Sequence, residues 1–420
     1  MEIFVFKSDI SQFSKRYYII VASMRILLVS QYYYPERFSV TDIAEGLAKL
    51  GHKVSVLTGK PNYGLGKILD EYKKTKYEVR NGVEIYRVNL YPRKHSRMSI
   101  IRNYLSFHRN AKRFVSHFKQ EFDIVISVSL SPVISIAPAI KFAKKNNIPH
   151  LLICEDLWPE STVVTKAVRK NSLMYKVLYK WSVSLYNKCD EIAISSPSFK
   201  EYFNDVLHIS DKKFPLINQP ILLSNSKGIE PVEYKDKFNV VYAGNIGKLQ
   251  LIDKLVEAMK LLKGEGIKLH LMGMGSELPQ IQKQIEEENL SDLVVYEGAL
   301  PIEKAESYYV NADALIVSLK NEGYVGKTIP NKAIQYLKYK KPLVGVIQGD
   351  AKELLEKADG TLFASEEPED IARAIKEIVH LDDKKKAKMG ENNLDYFNNN
   401  LSVEQIVKNI EKELSSLIKK

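Results

Sequence analysis

Among 420 residues only Cys154 and Cys189 are cysteines, and neither sits in a CxxC pair. A disulfide framework and a cysteine zinc site are excluded, and a reducing cytosolic compartment is expected. Long apolar runs are scarce too. The longest uncharged stretch, Ile124 to Ile140, carries Pro132, Pro138 and four serines, and it stops short of the roughly 18 apolar residues that mark a spanning helix. The first 23 residues hold Asp9, Lys15 and Arg16 ahead of a short apolar patch, Tyr17 to Ala22, and lack the central apolar region of a secretory signal. They read as an extension upstream of a fold that opens at Met24. The rest, in a chain 45% hydrophobic and 27% charged, has the composition of a globular protein of about two or three domains.

Acid is missing locally. Between Glu84 and Glu121 there is none, while Arg87, Arg93, Lys94, Arg97, Arg102, Arg109, Lys112, Arg113 and Lys119 all fall there. The formal net charge of +11 divides into +15 for residues 1–220 and −4 for residues 221–420. The first half is therefore expected to meet something anionic: a membrane surface, a nucleic acid or a phosphorylated ligand. Ile100, Tyr104, Phe107, Ala111, Phe114 and Phe118 recur at helical spacing, with Arg102, Arg109 and Arg113 opposite, which predicts a basic amphipathic helix. Its apolar face suits packing on its own domain, and the basic back of residues 93–119 suits anionic lipid, at roughly 1 kcal/mol per Lys or Arg near the surface. A second stretch, Leu173 to Tyr186, mixes Tyr175, Tyr179, Trp181 and Tyr186 with Lys176 and Lys180, a mixture found at membrane interfaces and in ordinary helix packing alike.

Short β-branched runs alternate with helical patterns, the signature of parallel sheets covered on both faces. Six strands are predicted in the first half (Ile26–Val29, Val54–Leu57, Val83–Val88, Ile124–Val128, His150–Cys154, Glu191–Ser195) and six in the second (Asn239–Ala243, Lys268–Met272, Leu293–Glu297, Ala314–Ser318, Pro342–Val346, Thr361–Phe363). The expected class is α/β, with two facing Rossmann-like doubly wound domains. The first spans 24–210 and the second 238–400. A Pro-, Asn- and Ser-rich linker over 211–237 joins them, and a final helix over 401–420 packs across the seam.

Ligands of open parallel sheets bind beyond the carboxyl ends of the strands, so the loops there carry the candidates. Gly244-Asn245-Ile246-Gly247-Lys248 follows a strand and precedes a helix, where glycines let N–H groups approach a phosphate. Gly273-Met274-Gly275 makes a second such turn. A third loop, Gly326 to Lys332, sets Lys327 and Lys332 around a helix start at Pro330 and Asn331, suited to a diphosphate.

With these motifs in hand, the chain resembles the glycosyltransferases of family 4, which have the GT-B fold, and especially those adding N-acetylated deoxy-sugars such as fucosamine in capsule and O-antigen assembly. The resemblance rests on Met24 to Arg37 with Pro35-Glu36-Arg37, on Leu50-Gly51-His52, on Glu155-Asp156-Leu157-Trp158-Pro159-Glu160-Ser161, on Gly244 to Lys248 and on Pro330 to Leu337, and it covers about residues 24–400. It implies transfer from a UDP-sugar held by the second domain to an acceptor held by the first, without a metal and with retention of configuration. No DxD motif occurs in a plausible place. Many relatives carry an Arg and a Lys for the donor diphosphate where this chain has Asn245 and Gln250, so Lys248, Lys327 and Lys332 are the expected substitutes. Of the family's paired glutamates, Gln335 replaces the second and Lys327 falls at the spacing of the first. Where relatives place a histidine after the fifth strand, this chain has Glu155 and Asp156. One of the two is expected to orient the acceptor hydroxyl or take its proton.

The resemblance thus implies Glu155, Asp156 and Lys327 as catalytic residues. Gly244, Asn245, Gly247, Lys248, Gln250, Gly273, Pro330, Asn331, Lys332 and Gln335 would bind the donor, and Glu36 and Arg37 the acceptor. His52 is expected to be structural. The partners implied are a UDP-sugar and a lipid-linked saccharide at the cytoplasmic face of the cell membrane, with no nucleic acid. Three other readings share part of this pattern: a GT-B UDP-N-acetylhexosamine epimerase, a non-catalytic polyanion-binding protein, and a scaffold of a polysaccharide assembly complex.

Overall fold

The computed structural model describes residues 23–419 apart from 95, 131, 165, 222–228 and 235–236. Residues 1–22 of the expected extension and part of the linker lie outside the described residues. Two sheets carry the fold. The first contains β1 (Arg25–Val29), β2 (Lys53–Gly59), β3 (Tyr77–Arg80), β4 (Val83–Val88), β5 (Ile124–Ser129), β6 (His150–Cys154) and β7 (Glu191–Ile194), in the order β3-β4-β2-β1-β5-β6-β7. The second contains β8 (Phe238–Ala243), β9 (Ile267–Met272), β10 (Val294–Gly298), β11 (Ala314–Ser318), β12 (Leu343–Val346) and β13 (Thr361–Phe363), in the order β10-β9-β8-β11-β12-β13.

All pairings are parallel except β3 with β4. The strands nearest each sheet's centre are apolar runs because helices cover both of their faces: β1, β5, β6, β8 and β11 are buried almost throughout. In both sheets the chain reverses direction of winding beside the first strand, between β1 and β5 and between β8 and β11. Each reversal opens a crevice at the carboxyl edge.

β3 is absent from the sequence-based expectation. It is an edge strand that folds back on β4 through Asn81 (φ 47°) and Gly82 (φ 80°), the two left-handed residues of a tight hairpin. Its residues alternate between exposed and half-buried.

The final helix, Val403–Ile418, docks on the first domain. Ile406, Val407, Ile410, Leu414 and Leu417 join the core formed by Ile26, Leu28, Val40, Ile43, Leu47 and Val54. His52 is structural, as expected. Its Nδ1 accepts from the Met24 N–H at 3.2 Å, and its Nε2 meets Glu411 of this helix at 2.9 Å.

Elsewhere the two halves meet at Asp350, whose Oδ2 accepts from the Ser196 hydroxyl at 2.6 Å and the Ser198 N–H at 2.7 Å. The same Ser196 oxygen accepts from Ile329 N–H at 3.0 Å.

Candidate active site in the interdomain cleft

The carboxyl edge of the first sheet brings Glu155 to the cleft. It follows β6, and its N–H is held by the Ser129 carbonyl at 3.2 Å. Its Oε1 accepts from the Ser39 hydroxyl at 2.8 Å, which fixes the carboxylate over the crevice beside β1. Removal from water raises its pKa to about 7; the Ser39 hydrogen bond opposes that rise and the neighbouring charge of Asp156 adds to it. Asp156 is half-buried and is likewise raised to about 7 by desolvation. Glu155 lines a pocket of about 80 Å³ whose opposite wall, Thr328, Ile329, Asn331 and Ile334, belongs to the second domain.

Across the cleft, the loop after β8 is bound to the loop after β9. Gly244 N–H donates to the Met272 carbonyl at 2.9 Å and Ile246 N–H to the Met274 carbonyl at 2.8 Å. The expected row of free N–H groups from Gly244 to Gly247 is therefore corrected: alternate amides hold the loop, and among the described residues those of Asn245 and Gly247 make no backbone hydrogen bond. Gly273 and Gly275 do not form a separate phosphate cradle. A Cβ on Gly273, at φ 130°, would lie 1.8 Å from the Gly244 carbonyl oxygen, so this turn buttresses the first loop. Asn245 and Gln250, which stand where many relatives have cations, pair with each other at 2.7 Å. Lys248 is exposed.

Lys332 carries the charge here. It enters from the helix Asn331–Leu337, and its Nζ donates to the Tyr242 hydroxyl while lying 3.9 Å from that ring's centroid. Tyr242 donates onward to the Asn245 carbonyl at 2.7 Å. No described carboxylate pairs with Lys332, and desolvation lowers its pKa to about 7. A Cβ on Gly244 would come within 2.8 Å of its Nζ, so the cation sits against the phosphate-type turn.

Several expected residues stand elsewhere. Lys327 reaches across the seam to Glu201 at 3.3 Å instead of into the donor loop. Gln335 hydrogen-bonds toward Tyr339. Pro330 and Asn331 begin a helix of only two turns, with the Pro330 carbonyl accepting from Ala333, so its dipole is short. Glu36 serves its own domain, since its Oε1 accepts both the Asn62 and Tyr63 N–H groups and desolvation raises its pKa. Arg37 pairs with Glu303 of the second domain. Each thus has one atom held by protein: Oε1 of Glu36 and Nη2 of Arg37. Ser39, Tyr242 and Asp350 were missed; their partners are remote in sequence, and no local pattern marks them.

Two family models divide the chain: Glycosyltransferase Family 4 matches residues 38–223, and Glycosyl transferases group 1 matches residues 227–395. A Pseudomonas aeruginosa protein named "Probable glycosyltransferase WbjE" is 26% identical over 271 residues, which is 62% of this chain and 67% of that protein. Among solved structures, sucrose-phosphate synthase from Thermosynechococcus elongatus superposes with a TM-score of 0.69 at 18% identity, covering 94% of this chain and 99% of that one. Anabaena Alr3699/HepE in complex with UDP and glucose superposes with a TM-score of 0.64 at 14% identity, covering 94% and 100%. At such identities these structures speak for the fold. With one model on each domain, the chain belongs to the family 4 glycosyltransferases and has the GT-B architecture.

Proposed function

We propose that the protein moves a sugar, an N-acetylated amino or deoxy sugar, from a UDP-sugar to a saccharide carried on polyprenyl diphosphate, in surface-polysaccharide assembly at the cytoplasmic face of the membrane. The observation that carries the donor half of this reading is Lys332, a half-buried cation with no described acid partner, set against the loop after β8. A buried ammonium without a counter-ion is costly, and an anionic ligand relieves that cost. The UDP complex of a structural neighbour supports a diphosphate as the ligand.

In this mechanism the diphosphate lies against the Asn245 and Gly247 N–H groups and Lys332, which stabilise the charge that grows as UDP departs. No metal is required. The acceptor hydroxyl oxygen bonds to the anomeric carbon, the bond from that carbon to the UDP oxygen breaks with its electron pair, and the hydroxyl proton passes to the Glu155 carboxylate. Retention of configuration is the outcome that the family likeness supports.

A peripheral membrane face completes the proposal. In the helix Arg97–His117 the line facing the core is Ser99, Asn103, Phe107, Ala111 and Val115, while Met98, Ile101 and Leu105 are exposed beside Arg102 and Arg109. The helix Leu173–Tyr186 exposes Leu173, Met174, Val177 and Trp181 beside Lys176 and Lys180. Both helices pack on the same short turn, Val133–Ile136, and this combination of apolar tips and basic neighbours suits an anionic interface. Among the described residues no helix is long and apolar enough to cross a membrane.

The donor half is tested by titrating UDP into the protein and its Lys332→Gln variant in a calorimeter. We expect affinity to fall at least about tenfold, the loss of one charge-assisted contact. Equal affinity would remove Lys332 from the donor site and with it the basis of the reading.

A further inference from the structure

The loops after β1, β2 and β4 converge on Arg93. Its backbone N–H donates to the Asn62 side-chain oxygen at 2.9 Å, and Nη1 donates to the hydroxyls of Tyr32 at 3.0 Å and Tyr104 at 2.9 Å. The guanidinium carbon lies 4.9 Å from the Tyr63 ring centroid. Tyr63 in turn sets its ring edge-on to Tyr32 and Phe38 at 5.1 and 5.2 Å, and those two stack at 5.0 Å. The carboxylate nearest this loop in sequence, Glu36, has one oxygen committed to the Asn62 and Tyr63 N–H groups, which is what brings Tyr63 under Arg93.

Arg93 is half-buried, and no described carboxylate pairs with it. The other arginines of this domain that are buried or half-buried differ: Arg25 pairs with Glu121 and Asp123, Arg80 with Glu45 and Arg87 with Glu78. A guanidinium has five N–H donors, and both on Nη1 are used by tyrosines. No described residue accepts from Nε or Nη2. That pair forms the flat, two-pronged edge that matches two oxygens of a phosphate.

The edge is also close to the chemistry. Phe38 precedes Ser39, whose hydroxyl holds Glu155. Four residues beyond Arg93 begins the helix that exposes Met98, Ile101 and Leu105.

We propose that the Nε and Nη2 edge of Arg93, within its collar of Tyr32, Tyr63 and Tyr104, is a phosphate subsite of the first domain that holds the diphosphate of the acceptor. The assignment rests on the lipid-linked acceptor of the proposed function. The same phosphate chemistry occurs in phospholipid headgroups, and the experiment separates the two sources.

The full chain, saturated with UDP so that the donor phosphates are occupied, is titrated with geranyl diphosphate and with geraniol. We expect the diphosphate to bind and geraniol not to bind measurably. Arg93→Gln should weaken the diphosphate at least about tenfold, Arg93→Lys should fall between the two, and UDP affinity should stay within about twofold in each variant. Tyr63→Ala, at a half-exposed ring whose removal spares the core, should weaken geranyl diphosphate several-fold by a route that leaves the guanidinium in place. Sedimentation with phosphatidylglycerol/phosphatidylcholine vesicles should be unchanged by Arg93→Gln. If geranyl diphosphate does not bind, or binds Arg93→Gln as it binds the native chain, the subsite is overturned. If vesicle binding falls while the diphosphate affinity holds, the edge reads a headgroup and the acceptor assignment is overturned. Failure of UDP itself to bind would sink the donor reading, while the geranyl diphosphate comparison would still decide the role of Arg93.

Discussion

Burial shifts Glu155 and Lys332 toward neutrality, and their opposite charges give the enzyme two opposed limbs in pH. A carboxylate raised to about 7 is a competent proton acceptor only above that pH, whereas an ammonium lowered to about 7 is a full cation only below it. Turnover per bound donor should therefore rise through pH 7 with Glu155, and UDP affinity should weaken above pH 7 with Lys332. Glu155→Gln is expected to cost about 10²- to 10⁴-fold in rate and to erase the acid limb, with UDP affinity unchanged. Lys332→Gln should leave weak UDP binding without the loss of affinity above pH 7; rate and binding profiles over pH 5.5 to 8.5 on both variants check this. The same shift has a sign in stability. A carboxyl raised on folding binds its proton more tightly in the native state, so its contribution is full below the unfolded value of 4.5 and declines as pH rises through 7. Glu155 and Lys332 could be singled out as candidates in the sequence because the first directly follows a strand and the second opens a helix after Pro330 and Asn331. Their supports were not: Ser39 and Glu155 are 116 residues apart, and Tyr242 and Lys332 are 90 apart. The pairing of Lys327 with Glu201 was not legible, because nothing in its loop shows that Glu201 lies across the seam.

At the scale of elements, the interlocked turns after β8 and β9 act as one unit. Gly273→Ala would drive a methyl group into the Gly244 carbonyl and force a side chain onto a left-handed backbone. We expect a loss of about 2 kcal/mol or more, read as a lower melting temperature, with UDP binding lost in the fraction that stays folded. The weak glycine pattern was thus meaningful for a reason other than phosphate contact. The buried strands were readable because both faces are covered, leaving uninterrupted apolar runs. The edge strand β3 was not, since one of its faces meets water and its composition, Tyr-Glu-Val-Arg, resembles surface chain. The helix Arg97–His117 was found, with Phe107 and Ala111 in the core and Phe114 and Phe118 packed against it as expected, but Ser99, Asn103 and Val115 are more deeply buried than the expected Ile100, Tyr104 and Phe114. Ser99 and Asn103 look like surface residues, yet Ser99 bonds Pro92 and Lys94, and Asn103 bonds Gln31, Asn62 and Tyr91. Satisfied polar groups can be buried, and hydropathy alone does not show which ones are satisfied.

For the whole molecule, the two lobes are drawn together tightly enough that the pocket at Glu155 encloses about 80 Å³, well below the roughly 300 Å³ at which small-molecule sites begin. Parting of the lobes would break the two hydrogen bonds from the first domain to the half-buried Asp350, together with the Ser196–Ile329 bond and the Arg37–Glu303 and Lys327–Glu201 pairs. Asp350→Ala should increase the radius of gyration in small-angle scattering and lower turnover several-fold, with UDP affinity within about twofold because the donor loop is untouched. An unchanged scattering profile would show that the lobes are held by other contacts. The docking of Val403–Ile418 on the first domain bears on how the protein is made. The ribosome completes the strands of that domain about midway through translation, but the five apolar side chains that close its core arrive with the last helix of the described chain. While the second lobe is being synthesised, the nascent first lobe has an uncovered greasy groove beside Val40 and Ile43, the kind of surface a holdase covers, until that helix emerges.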